Sequence, residues 1–248
     1  MRKLLISVFV LLPLLVIGQT TTENYVKSTS YQDNFTQAEV ESANDPIPDD
    51  QKIESVTYYD GLGRPKQNIS QRAGGNREDL MTPVFYDGFG RQPKDYLPYP
   101  NPNVSNAGEY LEPLTGLLTT YYYDNFENAR TTAINPYSEK RFENSPLNRV
   151  LETGAPGKDW EIDTNSDADH TIKFEYQANT NNEVRDFSVS FSGGDTEDPD
   201  IVYNDYFAPN QIYKTVTKDE NWISGDNHTT QEFKNKLGKV ILKRTFNA

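Results

Sequence analysis

The sequence predicts an all-β, mainly antiparallel protein, and three observations carry that prediction. Tyrosine (16 residues) and phenylalanine (12) are abundant while methionine and tryptophan number two each, a balance that favours pleated surfaces over helices. Short runs of alternating apolar and polar residues recur along the chain, separated by Asn, Asp, Gly and Pro clusters. One phrase occurs twice: Tyr58-Tyr59-Asp60-Gly61-Leu62-Gly63-Arg64, and 27 residues later Phe85-Tyr86-Asp87-Gly88-Phe89-Gly90-Arg91. The expected architecture is antiparallel strands and hairpins with irregular Pro-rich connections.

Residues 1–18 read as an export signal rather than as fold. Arg2 and Lys3 form a positive segment, Leu4 to Ile17 an apolar one, and Val16 and Gly18 occupy the small-residue positions of a cleavage site, leaving Gln19 as the new N-terminus. A polar run, Gln19-Thr20-Thr21-Thr22, follows at once, which favours cleavage over a retained anchor. The expected location is outside the inner membrane: secreted, on the outer cell surface, or periplasmic. No membrane span is expected after signal removal. The chain has no cysteine, which excludes disulfides, thiol catalysis, cysteine-ligated zinc and a lipid-modified cysteine anchor. Its net charge is −13, and losing the two positive charges of Arg2 and Lys3 takes it to −15. Such a surface repels phosphate backbones and argues against nucleic-acid binding.

Residues 19–50 are polar and end in Asn44-Asp45-Pro46-Ile47-Pro48-Asp49-Asp50, where prolines and acids oppose both helix and central strand. They read as a flexible leader with one short strand at Asn24 to Thr29, so folded structure is expected from near Gln51. Lys52 to Tyr59 alternates around Ile53, Val56 and Tyr58 and reads as a strand. Asp60-Gly61 is then a turn signal, since Gly permits positive φ and Asp bonds its own backbone. Arg64 to Ile69 is the expected return strand, and Gly74-Gly75-Asn76 the next loop. The second copy predicts the same: Thr82 to Tyr86 as strand, Asp87 to Gly90 as turn, Arg91 onward as return. Tyr96 to Pro102, with three prolines, is expected to be extended rather than laddered.

Asn103 to Leu118 reads as helical or irregular, with Leu111, Leu114, Leu117 and Leu118 able to share a face, and Thr119 to Asp124 as a strand. Phe142 to Glu152 resembles a drifted copy of the hairpin. Strands are expected at His170 to Tyr176, Val184 to Phe191, Asn210 to Lys218 and Asn227 to Phe233, with an acidic loop from Ser192 to Asp200. Glu232 to Arg244, around Asn235-Lys236-Leu237-Gly238-Lys239-Val240, is a further strand–turn–strand unit. The expected organisation is therefore signal (1–18), leader (19–50), a region with two motif units (51–160), and further strands ending in a last repeat (161–248).

The two Tyr-Asp-Gly-x-Gly-Arg units and the Phe233-Lys234-Asn235-Lys236-Leu237-Gly238-Lys239-Val240 unit resemble YD (RHS) repeats. From Gln51 onward the arrangement is similar to the N-terminal region of RHS-repeat proteins exported by Bacteroidetes, which carry a DUF6443-type domain there. The resemblance implies stacked hairpins forming part of an open, spiralling sheet of the kind that can close into a hollow shell around a C-terminal toxin or effector. A lone hairpin cannot bury its face and requires neighbours. The chain departs from the pattern in its irregular spacing and in lacking a core-domain signature or toxin segment. Its final unit leaves an open edge, so the chain is expected to be the first part of a longer protein or a truncated reading frame.

The residues singled out are structural: Tyr58, Tyr59, Asp60, Gly61, Gly63 and Arg64, and Tyr86, Asp87, Gly88, Gly90 and Arg91. Arg64 and Arg91 are expected to bond back to Asp60 and Asp87 or to a neighbouring hairpin. Asp163, Asn165, Asp167 and Asp169 set oxygens at the first four odd positions of a calcium loop. Ala168 replaces the required Gly there and Phe174 the closing Glu, so an acidic surface loop is favoured over a metal site. Asp195 to Asp200 reads as a solvated charge run. His170 and His228 stand in no catalytic motif, and no carboxylate pair has a distinguishing context. No cofactor and no catalysis are expected. The leading expectation is an exported structural protein whose partners are a downstream repeat or toxin segment or neighbouring hairpins; the alternative is a stand-alone surface module binding carbohydrate or protein.

Overall fold

The computed structural model describes residues 20, 22–44, 46–103, 107–126, 134–167, 169–191, 193 and 196–247. The expected export segment lies outside the described residues, as do Ala168 and Asp195. The chain divides into two compact units, Met1–Val84 with Pro98–Tyr121 and Phe85–Leu97 with Tyr122–Ala248. Each carries its own antiparallel sheet.

The first unit is built on β1 (Asn24–Tyr31), β2 (Lys52–Tyr59), β3 (Pro65–Ser70) and β4 (Asp79–Pro83). β5 (Lys94–Tyr96) belongs to the second unit, and β6 (Tyr99–Asn101) returns to the first, giving the order β1-β2-β3-β4-β6. Order thus begins well before Gln51: β1 ladders to β2 along its whole length, from Asn24 opposite Tyr59 to Tyr31 opposite Lys52. A one-turn helix, α1 (Gln37–Val40), lies in the connection between them. The strand period of two places Glu54, Val56 and Tyr58 on the buried face of β2 and leaves Ile53 exposed. Register then carries one buried row across four strands, Val56 opposite Ile69, Ile69 opposite Met81, and Met81 opposite Tyr99. The Pro-rich segment does ladder after all: Pro100 sits opposite Leu80 on the edge strand, where a missing amide is tolerated.

The helix α2 (Leu114–Asn125) corrects the strand expected at Thr119 to Asp124. Leu114 and Leu118, one turn apart, are both buried, while the Thr119 and Thr120 hydroxyls donate to the carbonyls of Thr115 and Gly116, at 2.9 and 3.0 Å. Burial of one helical face overrides the β preference of a Thr-Thr-Tyr-Tyr-Tyr run.

The second unit holds β7 (Tyr137–Phe142), β8 (Val150–Gly154), β9 (Ile172–Ala178), β10 (Arg185–Phe191), β11 (Pro199–Tyr206), β12 (Tyr213–Lys218), β13 (Thr229–Lys234) and β14 (Val240–Phe246). Seven strands form one sheet in the order β14-β13-β12-β9-β8-β7-β5, and β10 with β11 forms a separate two-stranded ribbon. Val184, Ile212 and Phe233 make a buried cluster, flanked by Phe207 and Leu242. β11 was not foreseen; its Asp- and Asn-rich composition masks Ile201, Val202 and Tyr203.

The second motif copy is not a hairpin. β4 ends before it and pairs with β3 and β6; β5 follows it and pairs with β7. The turn keeps its local form while the chain passes from one sheet into the other. Among the described residues no helix is long and apolar enough to cross a membrane.

Candidate functional site

The singled-out residues build one turn, made repeatedly. In the first copy the Asp60 amide donates to the Arg64 carbonyl (2.9 Å) and the Gly63 amide to the Asp60 carbonyl (3.0 Å). Asp60 Oδ1 accepts from the amides of Leu62 and Arg64, both at 2.9 Å, and Oδ2 from Arg64 Nε at 2.8 Å. One carboxylate therefore satisfies two backbone donors and pins the arginine that opens the return. The second copy matches: Oδ1 of Asp87 accepts from Phe89 and Arg91 amides at 2.9 Å, and Oδ2 from Arg91 Nε at 2.7 Å. Asn235 repeats it without charge, its Oδ1 accepting from Leu237 and Lys239 amides at 3.0 Å.

Backbone conformation assigns the glycines different roles. Gly63, Gly90 and Gly238 have φ of 76°, 77° and 76°, the left-handed region that favours glycine. Gly61 and Gly88 do not, and a Cβ on either would meet nothing within 4 Å; Lys236 occupies their position in the Asn235 turn. The positive φ expected at the Asp-Gly step thus falls two residues later.

The drifted unit uses the same turn with divided labour. Ser145 stands in place of Asp60, Asn148 (φ 53°) in place of Gly63, and Arg149 in place of Arg64. Ser145 Oγ accepts the Leu147 amide at 3.2 Å and donates to Glu143 Oε1 at 2.8 Å, while Glu143 Oε2 takes Arg149 Nε at 2.8 Å. The carboxylate has moved two residues upstream, a shift hidden from a search for Asp-Gly. The four-residue interval from turn opener to Arg is the signal that would have found it. Arg91 also links its own turn to the drifted one in the same unit: its Nη1 donates to the Glu143 carbonyl (3.2 Å) and Asn148 Oδ1 (3.3 Å), and its guanidinium lies 4.7 Å from the Phe142 ring centre. Phe142 is the aromatic before that turn, so these two turns stack through Arg91 on Phe142.

The aromatics diverge between copies. Tyr58 is fully buried, and its hydroxyl donates to the Gly108 carbonyl at 2.7 Å, whereas Phe85 at the matching position is exposed. Tyr59 is half-buried, as is Tyr86, whose hydroxyl accepts from Gln92 Nε2 at 3.1 Å.

Amide and arginine donors hold these carboxyls ionised. The Arg64 amide is the leading cause that lowers the Asp60 pKa. Partial burial pushes Asp87 up, but the Arg91 amide and guanidinium outweigh it and its pKa is lowered. The Arg149 guanidinium brings Glu143 to about 2. Glu183 also falls to about 2, because Lys214 and the Thr180 amide overcome its burial. An unfolded Glu takes up its proton near pH 4.5, whereas these folded carboxyls hold out to about 2. Folding is therefore favoured fully above that window and loses the contribution as pH falls through it. Urea titrations followed by tryptophan fluorescence should show stability falling between about pH 4.5 and 2. Glu143→Gln should flatten that fall, and an unchanged slope would refute the assignment.

In the calcium-type segment one of the four residues pairs with a protein cation. Asp169 pairs with Lys173, and its Oδ2 accepts the Asp163 amide at 2.9 Å; Asp163 Oδ1 accepts the Asn165 amide at 2.9 Å. Among the described residues no group of three or more His, Cys, Asp or Glu could hold a metal ion, and Asp167 joins none. His170 Nδ1 lies 3.0 Å from the Glu220 carbonyl oxygen and His228 Nδ1 lies 3.2 Å from Asp219 Oδ2. Among the described residues the Nδ1 partners of the two histidines are thus a backbone carbonyl and a carboxylate oxygen.

Open antiparallel sheets joined by repeated acid- or amide-capped turns define the class of protein. Residues 27–177 match the model of the domain of unknown function DUF6443, and the chain belongs to that family. No curated protein matches the chain.

Proposed function

We propose that this chain is a non-catalytic, exported structural protein, the N-terminal portion of an RHS/YD-repeat shell of the Bacteroidetes type that encloses a C-terminal toxin or effector. The observation that carries this reading is the recurrence of one turn at Asp60, Asp87 and Asn235, with a divided version at Ser145 and Glu143. A repeated turn, stacked in one case through Arg91 on the Phe142 ring, is a unit for adding strands. β14, an edge strand of the seven-stranded sheet, offers a ladder to further hairpins. An immunoblot of producing cells and medium, with an antibody against Gln51 to Pro100, tests the reading. The expected result is a band far heavier than a 248-residue chain. A band at the size of this chain would overturn it and leave a stand-alone module for carbohydrate or protein.

A further inference from the structure

Two turns of the second unit, at Asp87 and Ser145, share a device that the Asn235 turn leaves unfinished. Each closes on a cation that leads into the next strand, Arg91 ahead of β5 and Arg149 ahead of β8. Each cation meets a ring on the strand laid down next in the same sheet. Lys94 opposes Glu139, and the same register carried back to the turn sets Arg91 opposite Phe142, whose ring centre is 4.7 Å from the guanidinium. Glu152 opposes Lys173, which likewise sets Arg149 opposite Tyr176, again at 4.7 Å. Phe142 is followed by Glu143, as Tyr59 is by Asp60 and Tyr86 by Asp87. The turns at Asp60, Asp87 and Ser145 are thus each entered through an aromatic followed by an acid.

Lys239 holds the equivalent place in the Asn235 turn, one residue ahead of β14. β14 is the edge of its sheet, Lys239 is exposed, and Val240 and Ile241 are 49% and 39% exposed. Among the described residues neither Lys239 nor Lys243 forms an ion pair or a ring contact.

We propose that the β14 edge receives an antiparallel strand ending in an aromatic followed by an acid, with the aromatic stacked on Lys239. The edge offers main-chain donors and acceptors that any strand satisfies, and the cation selects the ring. Lysine fills this role elsewhere in the chain: Lys94 Nζ lies 4.0 Å from the Tyr137 ring centre and Lys218 Nζ 3.7 Å from that of Trp222. Charge argues against a second copy of β14 as the occupant. The strand carries Lys243 and Arg244 and no acid, and pairing it with itself about its midpoint sets Lys243 against Lys243. An incoming acid meets lysines instead. The occupant is the next hairpin of the array, and in that the inference rests on the shell reading.

A fluorescently labelled peptide of Lys52–Ser70, whose first strand ends in Tyr59-Asp60, is the probe. Anisotropy titration with the whole chain is expected to show saturable binding, with a dissociation constant of about 1 mM or below. Tyr59→Ala in the peptide should weaken binding by about two- to fivefold, and so should Lys239→Ala in the chain. Together the two changes should cost no more than either alone, and Lys239→Arg should retain full affinity, which a general loss of binding would not reproduce. No binding with the chain at about 1 mM, additive effects, or Lys239→Arg as weak as Lys239→Ala would each overturn the proposal. So would a dimer of the chain that excludes the peptide, which would give the edge to a second copy. A heavy immunoblot band without peptide binding sinks this joint alone. Peptide binding with a band at the size of this chain sinks the shell alone.

Discussion

Replacing Tyr58 by alanine is expected to lower the stability of the first unit by about 3–5 kcal/mol, the range for deleting a buried aromatic. Tyr58 is fully buried on β2, with the rings of Tyr25 and Tyr110 at 5.7 and 5.3 Å. Its hydroxyl donates to Gly108 and accepts the Thr20 amide at 3.0 Å, so the side chain ties together three segments far apart in sequence. Tyr58→Phe keeps the ring and strands those two partners, which should cost about 1–3 kcal/mol. Hydrogen exchange across Lys52 to Tyr59, with urea unfolding by circular dichroism, reads both variants. If Tyr58→Ala costs no more than Tyr58→Phe, the ring is not a core element and the account of β2 fails. Matching changes at Phe85, the equivalent residue of the second copy, should cost far less because that ring is exposed.

Glu152→Ala is expected to cost about 3–5 kcal/mol in the second unit, because it leaves buried partners uncompensated. Glu152 is 2% exposed; its Oε2 accepts from Arg141 Nε at 2.8 Å, and its Oε1 from Thr171 Oγ1 at 2.7 Å and Lys173 Nζ at 3.0 Å. Lys173 is itself buried. Burial works to lower its pKa, but Asp169 and Glu152 outweigh that and hold it above its ordinary value. Glu152→Gln keeps the shape and one acceptor oxygen, though its NH2 group then faces a donor, and should cost less than the alanine variant. The tryptophans, at 160 and 222, both belong to the second unit, so fluorescence-monitored unfolding reports on it. A Glu152→Ala variant within about 1 kcal/mol of the parent would show that water reaches the cluster and that its charges are solvated.

Most strands of the second unit were legible because their alternation is local. The runs ending at Tyr176, Phe191, Lys218 and Phe233 each fall mostly on a strand, the strands themselves starting at Ile172, Arg185, Tyr213 and Thr229. The turns were legible for the same reason: Asp60 and Asp87 hydrogen-bond to amides two and four residues onward, so the whole device fits in five residues. Burial was harder to read. Ile53 reads as a core residue and Glu54 as a surface one, yet Glu54 is buried, with Lys27 and Arg72 at 2.8 and 2.9 Å. Strand period sets the face, and the residue that falls there brings its counter-ions with it. The short strand expected at Asn24 to Thr29 is β1, but the polarity of residues 19–50 hid its partner: its side chains are nearly all exposed and its order comes from its ladder to β2.

The sequence by itself determined the β class and the capping Asp of each turn, because both depend on contacts within a few residues, while the glycine that needs a positive φ lies two residues beyond the expected Asp-Gly step. Only the tertiary structure decided which strands pair. The two Tyr-Asp-Gly-x-Gly-Arg copies are near-identical locally, yet the strands around the first pair with each other while those around the second join different sheets. The helix at Leu114–Asn125 was decided the same way, by the burial of Leu114 and Leu118 against the local preference of the tyrosines. Strand partners and buried faces are chosen by which apolar rows meet across long separations, and a five-residue phrase carries no information about its distant partner.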